Sequence, residues 1–352
     1  MRYVKIFFLL ILFVSCKKKD ITSEVVDISQ LNTGAIILCE GLFQQNNATL
    51  SWVNFTDNTI DNQLFFNKTG RKLGDTGNDM VAYGGKVYIV VNVSSTIEVL
   101  DKNSLASLKQ IDMKSNAIPK SPRNIRFHDG YGYITCYDGY VDVLDTSSLS
   151  IVNRIKVGEN PEDLAFSNGR IYVSNSGGLN VPNVDSTVSV IDINSLTEIK
   201  KITVGKNPGG ITINSKGDVY VISRGNYGSI PSRMIKINTT TNEVETRFDF
   251  NASSISVMNT NFLISYTNFS NSSNSVLLFD SELDQVITNN FLSLTNITTL
   301  YGIKYNANNQ KIYCLDAMSY VNTGYVRVFS SNGVLETSYH VGLNPNSIVF
   351  YE

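Results

Sequence analysis

Gly85-Lys86-Val87-Tyr88-Ile89-Val90, Gly169-Arg170-Ile171-Tyr172-Val173-Ser174 and Gly217-Asp218-Val219-Tyr220-Val221-Ile222 are one short segment written three times. Each is a β-strand pattern opened by glycine. Looser copies stand at Gly34-Ala35-Ile36-Ile37-Leu38-Cys39, Gly132-Tyr133-Ile134-Thr135, Asn261-Phe262-Leu263-Ile264-Ser265 and Lys311-Ile312-Tyr313-Cys314-Leu315. The markers Ile37, Tyr88, Tyr133, Tyr172, Tyr220, Leu263 and Tyr313 lie 39 to 51 residues apart. A repeat of this length signals a solenoid, a propeller or an array.

The surroundings of each marker decide among these. Before it runs an alternating strand such as Gly210-Ile211-Thr212-Ile213, joined by a tight turn as at Asn168-Gly169. After it comes a loop of variable length, then a strand ending in Asp, such as Val141-Asp142-Val143-Leu144-Asp145 or Val188-Ser189-Val190-Ile191-Asp192. A turn leads to a fourth strand, as in Ile199-Lys200-Lys201-Ile202-Thr203-Val204. Four antiparallel strands per repeat make one blade of a β-propeller. The fold expected is all-β, a seven-bladed propeller over residues 34–352, or about 46 residues per blade. The chain opens on a second strand, and Asn346-Ser347-Ile348-Val349-Phe350 has the first-strand pattern. The C-terminal strand is therefore expected to complete blade 1 and remove an open edge.

Composition narrows the function classes. Charged residues are 17% and apolar residues 42%, which excludes a disordered chain. Lys and Arg number 29 against 31 Asp and Glu, so no basic excess drives nucleic-acid binding. Only His128 and His340 are present, so histidine-rich metal sites are excluded. Neither histidine maps to the expected mouth of the ring, no Gly-x-Ser-x-Gly occurs, and Gly205-Lys206-Asn207-Pro208-Gly209-Gly210 lacks the phosphate-loop spacing. The reading is non-enzymatic, with no cofactor.

The first residues carry an address. Arg2 and Lys5 precede the apolar run Ile6–Val14, which is too short to span a bilayer and suits a signal peptide over 1–15. Leu12-Phe13-Val14-Ser15-Cys16 resembles a bacterial lipobox, with Cys16 the lipidated residue. Residues 16–33 then read as a flexible tether. Loss of Arg2 and Lys5 would move the formal charge from −2 to −4. Cys39, Cys136 and Cys314 are expected as buried thiols rather than one disulfide and a spare.

Val157-Gly158-Glu159-Asn160-Pro161, Val204-Gly205-Lys206-Asn207-Pro208 and Val341-Gly342-Leu343-Asn344-Pro345 are one recurring inter-blade turn. With the Tyr-centred strands, these turns resemble the YVTN or YncE-like seven-bladed propellers. The Ser15-Cys16-Lys17-Lys18-Lys19-Asp20 start, Cys39-Glu40-Gly41 and Gly74-Asp75-Thr76-Gly77-Asn78-Asp79 are similar to the propeller lipoproteins of Bacteroidota. Some of those bind cobalamin above an outer-membrane transporter. The resemblance implies a lipid-anchored outer-membrane binding protein, on the cell surface rather than the periplasmic face. Its possible partners are a β-barrel transporter or secretion channel, and a small ligand such as a cobalamin.

The variable loops 40–49, 175–186, 223–232, 265–274 and 315–324 share one face, where recognition is expected. The residues after the second strands, including Glu40, Asn175, Tyr266 and Asp316, are expected to point to the central mouth. They would form either a hydrated funnel or a hard-cation site, the latter allowing a lactonase-like hydrolase. Arg224 and Tyr227 join Tyr266 and Asp316 on adjacent blades, giving a charged donor, two aromatic faces and an acceptor. The expected ligand-binding set is Glu40, Asn175, Arg224, Tyr227, Tyr266 and Asp316.

Overall fold

The computed structural model describes residues 33–268, 271 and 273–352. The expected signal peptide, Cys16 and most of the expected tether fall outside the described residues. Seven four-stranded antiparallel sheets form the blades of a propeller. Blade 3 is representative: Pro122–His128, Tyr131–Cys136, Tyr140–Asp145 and Ser150–Lys156, innermost strand first. Blade 1 takes Pro345–Tyr351 as its innermost strand, beside Gly34–Cys39 and Thr49–Asn54. The pairing runs from Gly34↔Tyr351 to Leu38↔Ser347 and closes the ring with the first and last described segments of the chain.

Each seam between neighbouring blades has its own core. Ile36, Leu38 and Trp52 of blade 1 meet Met80, Val87 and Ile89 of blade 2. On the other side, Ala35, Ile37 and Cys39 of the same blade meet Tyr313, Leu315 and Val326 of blade 7. Successive residues of a strand point to opposite sides of the sheet. A second strand therefore feeds two seams at once, which is why these segments are apolar at nearly every position. The marker tyrosines Tyr88, Tyr133, Tyr172, Tyr220 and Tyr313 are all buried in such seams.

The third strands end as the Asp pattern predicts. Asp101, Asp145, Asp192 and Asp280 each accept hydrogen bonds from the backbone N–H groups two and three residues on. These Asx turns fix the short connection to the fourth strand. Both this turn and the turn from first to second strand lie on one face, the short-turn face. Gly34 begins a second strand, so Thr33 also lies on that face.

Two short elements among the described residues depart from the all-β expectation, a 3-10 turn at Met318–Tyr320 and a helix in blade 1. The fourth strand of blade 1 is only Ile60–Asp61, followed by a short helix, Leu64–Thr69. Asp61 accepts from the N–H of Gln63 at 2.8 Å, and Gly70 ends the helix at φ 69°. Leu64 and Phe65 are buried in the blade 1–blade 2 core, so a helix instead of a full strand covers that edge.

Among the described residues, Cys39, Cys136 and Cys314 are free buried thiols. Burial pushes the Cys39 thiol up to about 11, although Ser51 donates or accepts a hydrogen bond to it at 3.4 Å. A buried thiol of this kind is unreactive.

Closure predicts a consequence. Deleting residues 346–352 removes the inner strand of blade 1 and the edge-to-face contact of Tyr351 with Trp52 at 5.6 Å. The shortened chain should lose its cooperative thermal transition, followed by the fluorescence of Trp52, the single tryptophan. A native-like melt of that chain would contradict ring closure.

Candidate functional site

The mouth on the long-loop face is built by the first strands rather than the second. In six blades the pairing of first with second strand shifts at the top, as between Pro122 and Ile125, Pro161 and Leu164, and Leu300 and Gly302. Such a bulge re-aims a side chain. The re-aimed residue is second in its strand: Asn346, Asn78, Arg123, Glu162, Gly209 and Tyr301 in blades 1 to 5 and 7. These residues link blade to blade. Asn346 donates to the Gly77 carbonyl at 2.7 Å, and Asn78 donates to the Arg123 carbonyl at 2.6 Å. The Arg123 guanidinium bonds the Asn78 amide oxygen and reaches Glu162 Oε1 at 3.0 Å. Tyr301 donates to Glu40 Oε2 at 2.5 Å.

Blade 5 has glycine at this position, and Arg224 fills the gap. A Cβ on Gly209 would lie 2.4 Å from Arg224 Cζ. From there Arg224 reaches Glu162 Oε1 at 3.3 Å, so two guanidiniums share one carboxylate oxygen. Tyr137 donates to the other oxygen at 2.6 Å. Burial alone would raise the Glu162 pKa, but Arg123 and Arg224 outweigh it and hold the group down at about 2. Burial raises that of Glu40, with the Tyr301 hydrogen bond opposing. Deeper in the channel, Arg126 bridges Asp79 at 2.7 Å and Asp163 at 2.9 Å.

Asn175 and Asp316 do not reach the mouth; the structure corrects that expectation. Both are fully buried. Asn175 accepts from Gly158 N–H and donates to Thr187 and Ser189 within its own blade. Asp316 accepts from the N–H groups of Thr298, Thr299 and Met318. The cause is the inter-blade turn, which folds over the end of the second strand. A Cβ on Gly158 would come within 2.4 Å of Asn175, and one on Gly205 within 2.6 Å of Ser223. The recurrent glycine of Val-Gly-x-Asn-Pro therefore makes room for the last side chain of the second strand. Without Asn175 and Asp316, the proposed cation set dissolves. Among the described residues no group of three or more His, Cys, Asp or Glu is placed to hold a metal ion.

The remaining residues do come together. Blade 6 breaks the pattern: its first strand, Ser254–Met258, pairs in register from Ser254↔Ser265 with no bulge. Small hydroxyl residues stand where other blades place Asn, Arg, Glu or Tyr. The second and third strands of this blade also continue upward to Asn268↔Ser273, raising a wall that carries Tyr266. The result is a cavity of about 480 Å³ bordered by Arg224, Tyr227, Tyr266, Tyr301 and Tyr320. Tyr301 and Tyr320 meet edge to face at 5.4 Å. Arg224, Tyr227 and Tyr266 thus share one cavity, and Glu40 is tied to its edge through Tyr301. Sequence reasoning missed Glu162, Tyr301, Asn78 and Asn346. The residue after proline in Pro122-Arg123, Pro161-Glu162 and Pro345-Asn346 was the available signal.

A family model described as "Domain of unknown function (DUF5074)" matches residues 33–348. The chain belongs to the DUF5074 family. No curated protein matches this DUF5074 chain in sequence. Among solved structures it is similar to a quinonprotein alcohol dehydrogenase-like protein from Bacteroides thetaiotaomicron, with TM-score 0.64, 14% identity, 92% of this chain and 79% of that one covered. It is also similar to hydrazine synthase of Kuenenia stuttgartiensis, with TM-score 0.63, 15% identity, and 77% and 88% covered. At such identities the DUF5074 propeller shares the fold with these proteins, and nothing further follows.

Glu162 supplies a prediction with a definite sign. Its folded pKa lies below the ordinary glutamate value of about 4.3. The stabilisation is therefore complete above that value and is lost as pH falls toward about 2. Glu162→Gln should cost roughly 3 kcal/mol at pH 7 in urea unfolding, because two guanidiniums lose their counter-charge. The gap from wild type should close between pH ~4.5 and ~2; a gap constant with pH would refute the assignment.

Proposed function

We propose that this propeller is a non-enzymatic binding protein whose ligand occupies the blade 6 cavity. One observation carries the reading: the linked polar ring at the mouth runs through blades 7, 1, 2, 3, 4 and 5 and opens at blade 6 into a tyrosine-walled cavity. Cavities of this size with aromatic walls and a few polar groups are the usual form of small-molecule sites. The lipobox at Cys16 adds tethering at the outer membrane, on the cell surface. Thr33 lies on the short-turn face, so a tethered propeller turns its cavity away from the attachment point.

Calorimetry of the soluble propeller against nucleotides, glycans, cobalamins and siderophores tests the reading. Arg224 is unsuitable for substitution because it also neutralises Glu162. Tyr227→Ala with Tyr266→Ala should weaken the ligand found by at least about tenfold, or ~1.4 kcal/mol. The melting temperature should fall little, because Tyr227 is exposed and Tyr266 is only half-buried. Unchanged affinity in the double variant would place the site elsewhere. For the anchor, Cys16→Ala should move the protein from the membrane to the soluble fraction and abolish acyl labelling. Stable anchoring requires more than one acyl chain, which a lipidated Cys16 provides.

A second reading rests on the rim of the same face. Phe43, Leu179, Val181 and Val321 project from loops of blades 1, 4 and 7 and are 67 to 74% exposed. Exposed apolar side chains on one rim suit a protein partner such as an outer-membrane β-barrel transporter or secretion channel. Leu179→Asp with Val181→Asp should then abolish co-purification of a stoichiometric complex from detergent-solubilised outer membranes. Persistence of the complex would exclude this rim as the contact.

A further inference from the structure

We propose that the blade 6 cavity takes an uncharged saccharide, a proposal that rests on the reading of that cavity as the binding site. The walls select against two other ligand classes. Among the described residues bordering the cavity, Arg224 is the single charged side chain, and its guanidinium already lies 3.3 to 3.4 Å from Glu162. A phosphate or carboxylate ligand would find no uncommitted cation to compensate its desolvation. A wholly apolar ligand fails for the opposite reason. The Asn251 amide and the Tyr266 and Tyr320 hydroxyls border the cavity with no hydrogen bond among the described residues, and covering them with hydrocarbon would strand them.

A sugar answers both conditions. One face of a pyranose ring presents C–H bonds, whose partial positive charge suits the negative face of an aromatic ring. Its hydroxyls both donate and accept, and so match amides and hydroxyls that do the same. The cavity offers four tyrosine rings, Tyr227, Tyr266, Tyr301 and Tyr320. The hydroxyls of Tyr266 and Tyr320 and the amide of Asn251 make no hydrogen bond among the described residues, leaving them for ligand hydroxyls. Ser254 and Ser265 bond each other at 2.5 Å across the floor, holding the small-residue base that leaves the volume open. The extended hairpin of blade 6 sets Tyr266 opposite Ser275 on a paired strand, so this platform stands on regular backbone rather than on a loose loop.

The test is calorimetry of the soluble propeller with neutral hexose and N-acetylhexosamine trisaccharides, with hexuronic acid trisaccharides and cyanocobalamin run in parallel. At least one neutral trisaccharide should bind. Tyr266→Ala and Tyr320→Ala should each weaken it about tenfold. Raising the salt from about 0.1 to about 0.5 M should leave its affinity within about twofold, because no charge pair is formed. If only a hexuronic acid or cyanocobalamin binds, and Tyr266→Ala abolishes it, the cavity remains the site and the saccharide proposal is overturned. If a neutral trisaccharide binds equally to the tyrosine variants, the cavity reading falls and this proposal with it. Failure of every probe to bind overturns the saccharide proposal.

Discussion

The pairing of residues 345–351 with residues 34–39 is the constraint on which the molecule depends. A sheet blade has two apolar faces, and each needs a neighbour. Seven blades in a row would leave two such faces in water. Building blade 1 from both described ends of the chain makes a row into a ring, so each of the seven seams has a core and each blade is covered on both faces. Once the ring is closed, loops on the long-loop face change in length at little cost, because closure entropy grows slowly with loop length. The blades carry stability, and the loops with the mouth are released for recognition.

The mouth follows from the same geometry. Seven first strands converge there, and charged or polar side chains aimed inward must satisfy one another or remain buried without partners. Glu162 meets this need by serving Arg123 and Arg224 together, with Tyr137 on its second oxygen. Gly209 is part of that solution, since only an absent side chain lets Arg224 lie inward. Blade 6 contributes no long polar group, and the missing bulk becomes the cavity. The rigid polar ring and the open notch are two outcomes of one local choice, bulge or no bulge.

Most of the architecture was legible in the sequence because it rests on short-range rules. Tyr88, Tyr172 and Tyr220 mark second strands that are apolar throughout because each feeds two seams. Asp101, Asp145 and Asp192 mark turns through hydrogen bonds two and three residues away. Ring closure was legible because the chain begins on one strand type and ends on another. The mouth was harder to read. Its residues depend on bulges, which shift register by one and redirect a side chain without a composition change. Asn175 and Asp316 were placed at the mouth by counting from strand ends, whereas the segment between blades folds over that position: the turn at Gly158 packs on Asn175, and the N–H groups of Thr298 and Thr299 bond Asp316. The helix Leu64–Thr69 escaped because six residues give too little periodicity to separate it from an edge strand.

The central claim is that recognition occurs at the break in the polar ring. Hydrogen exchange of the propeller, with and without the ligand that calorimetry identifies, tests it most directly. The account predicts new protection in residues 223–232 and 251–268 and around Tyr301 and Tyr320. Residues 122–124 and 161–163, already held by the Glu162 network, should change little. Protection confined to the short turns at 84–86, 129–131 and 168–170, with none at blade 6, would contradict it.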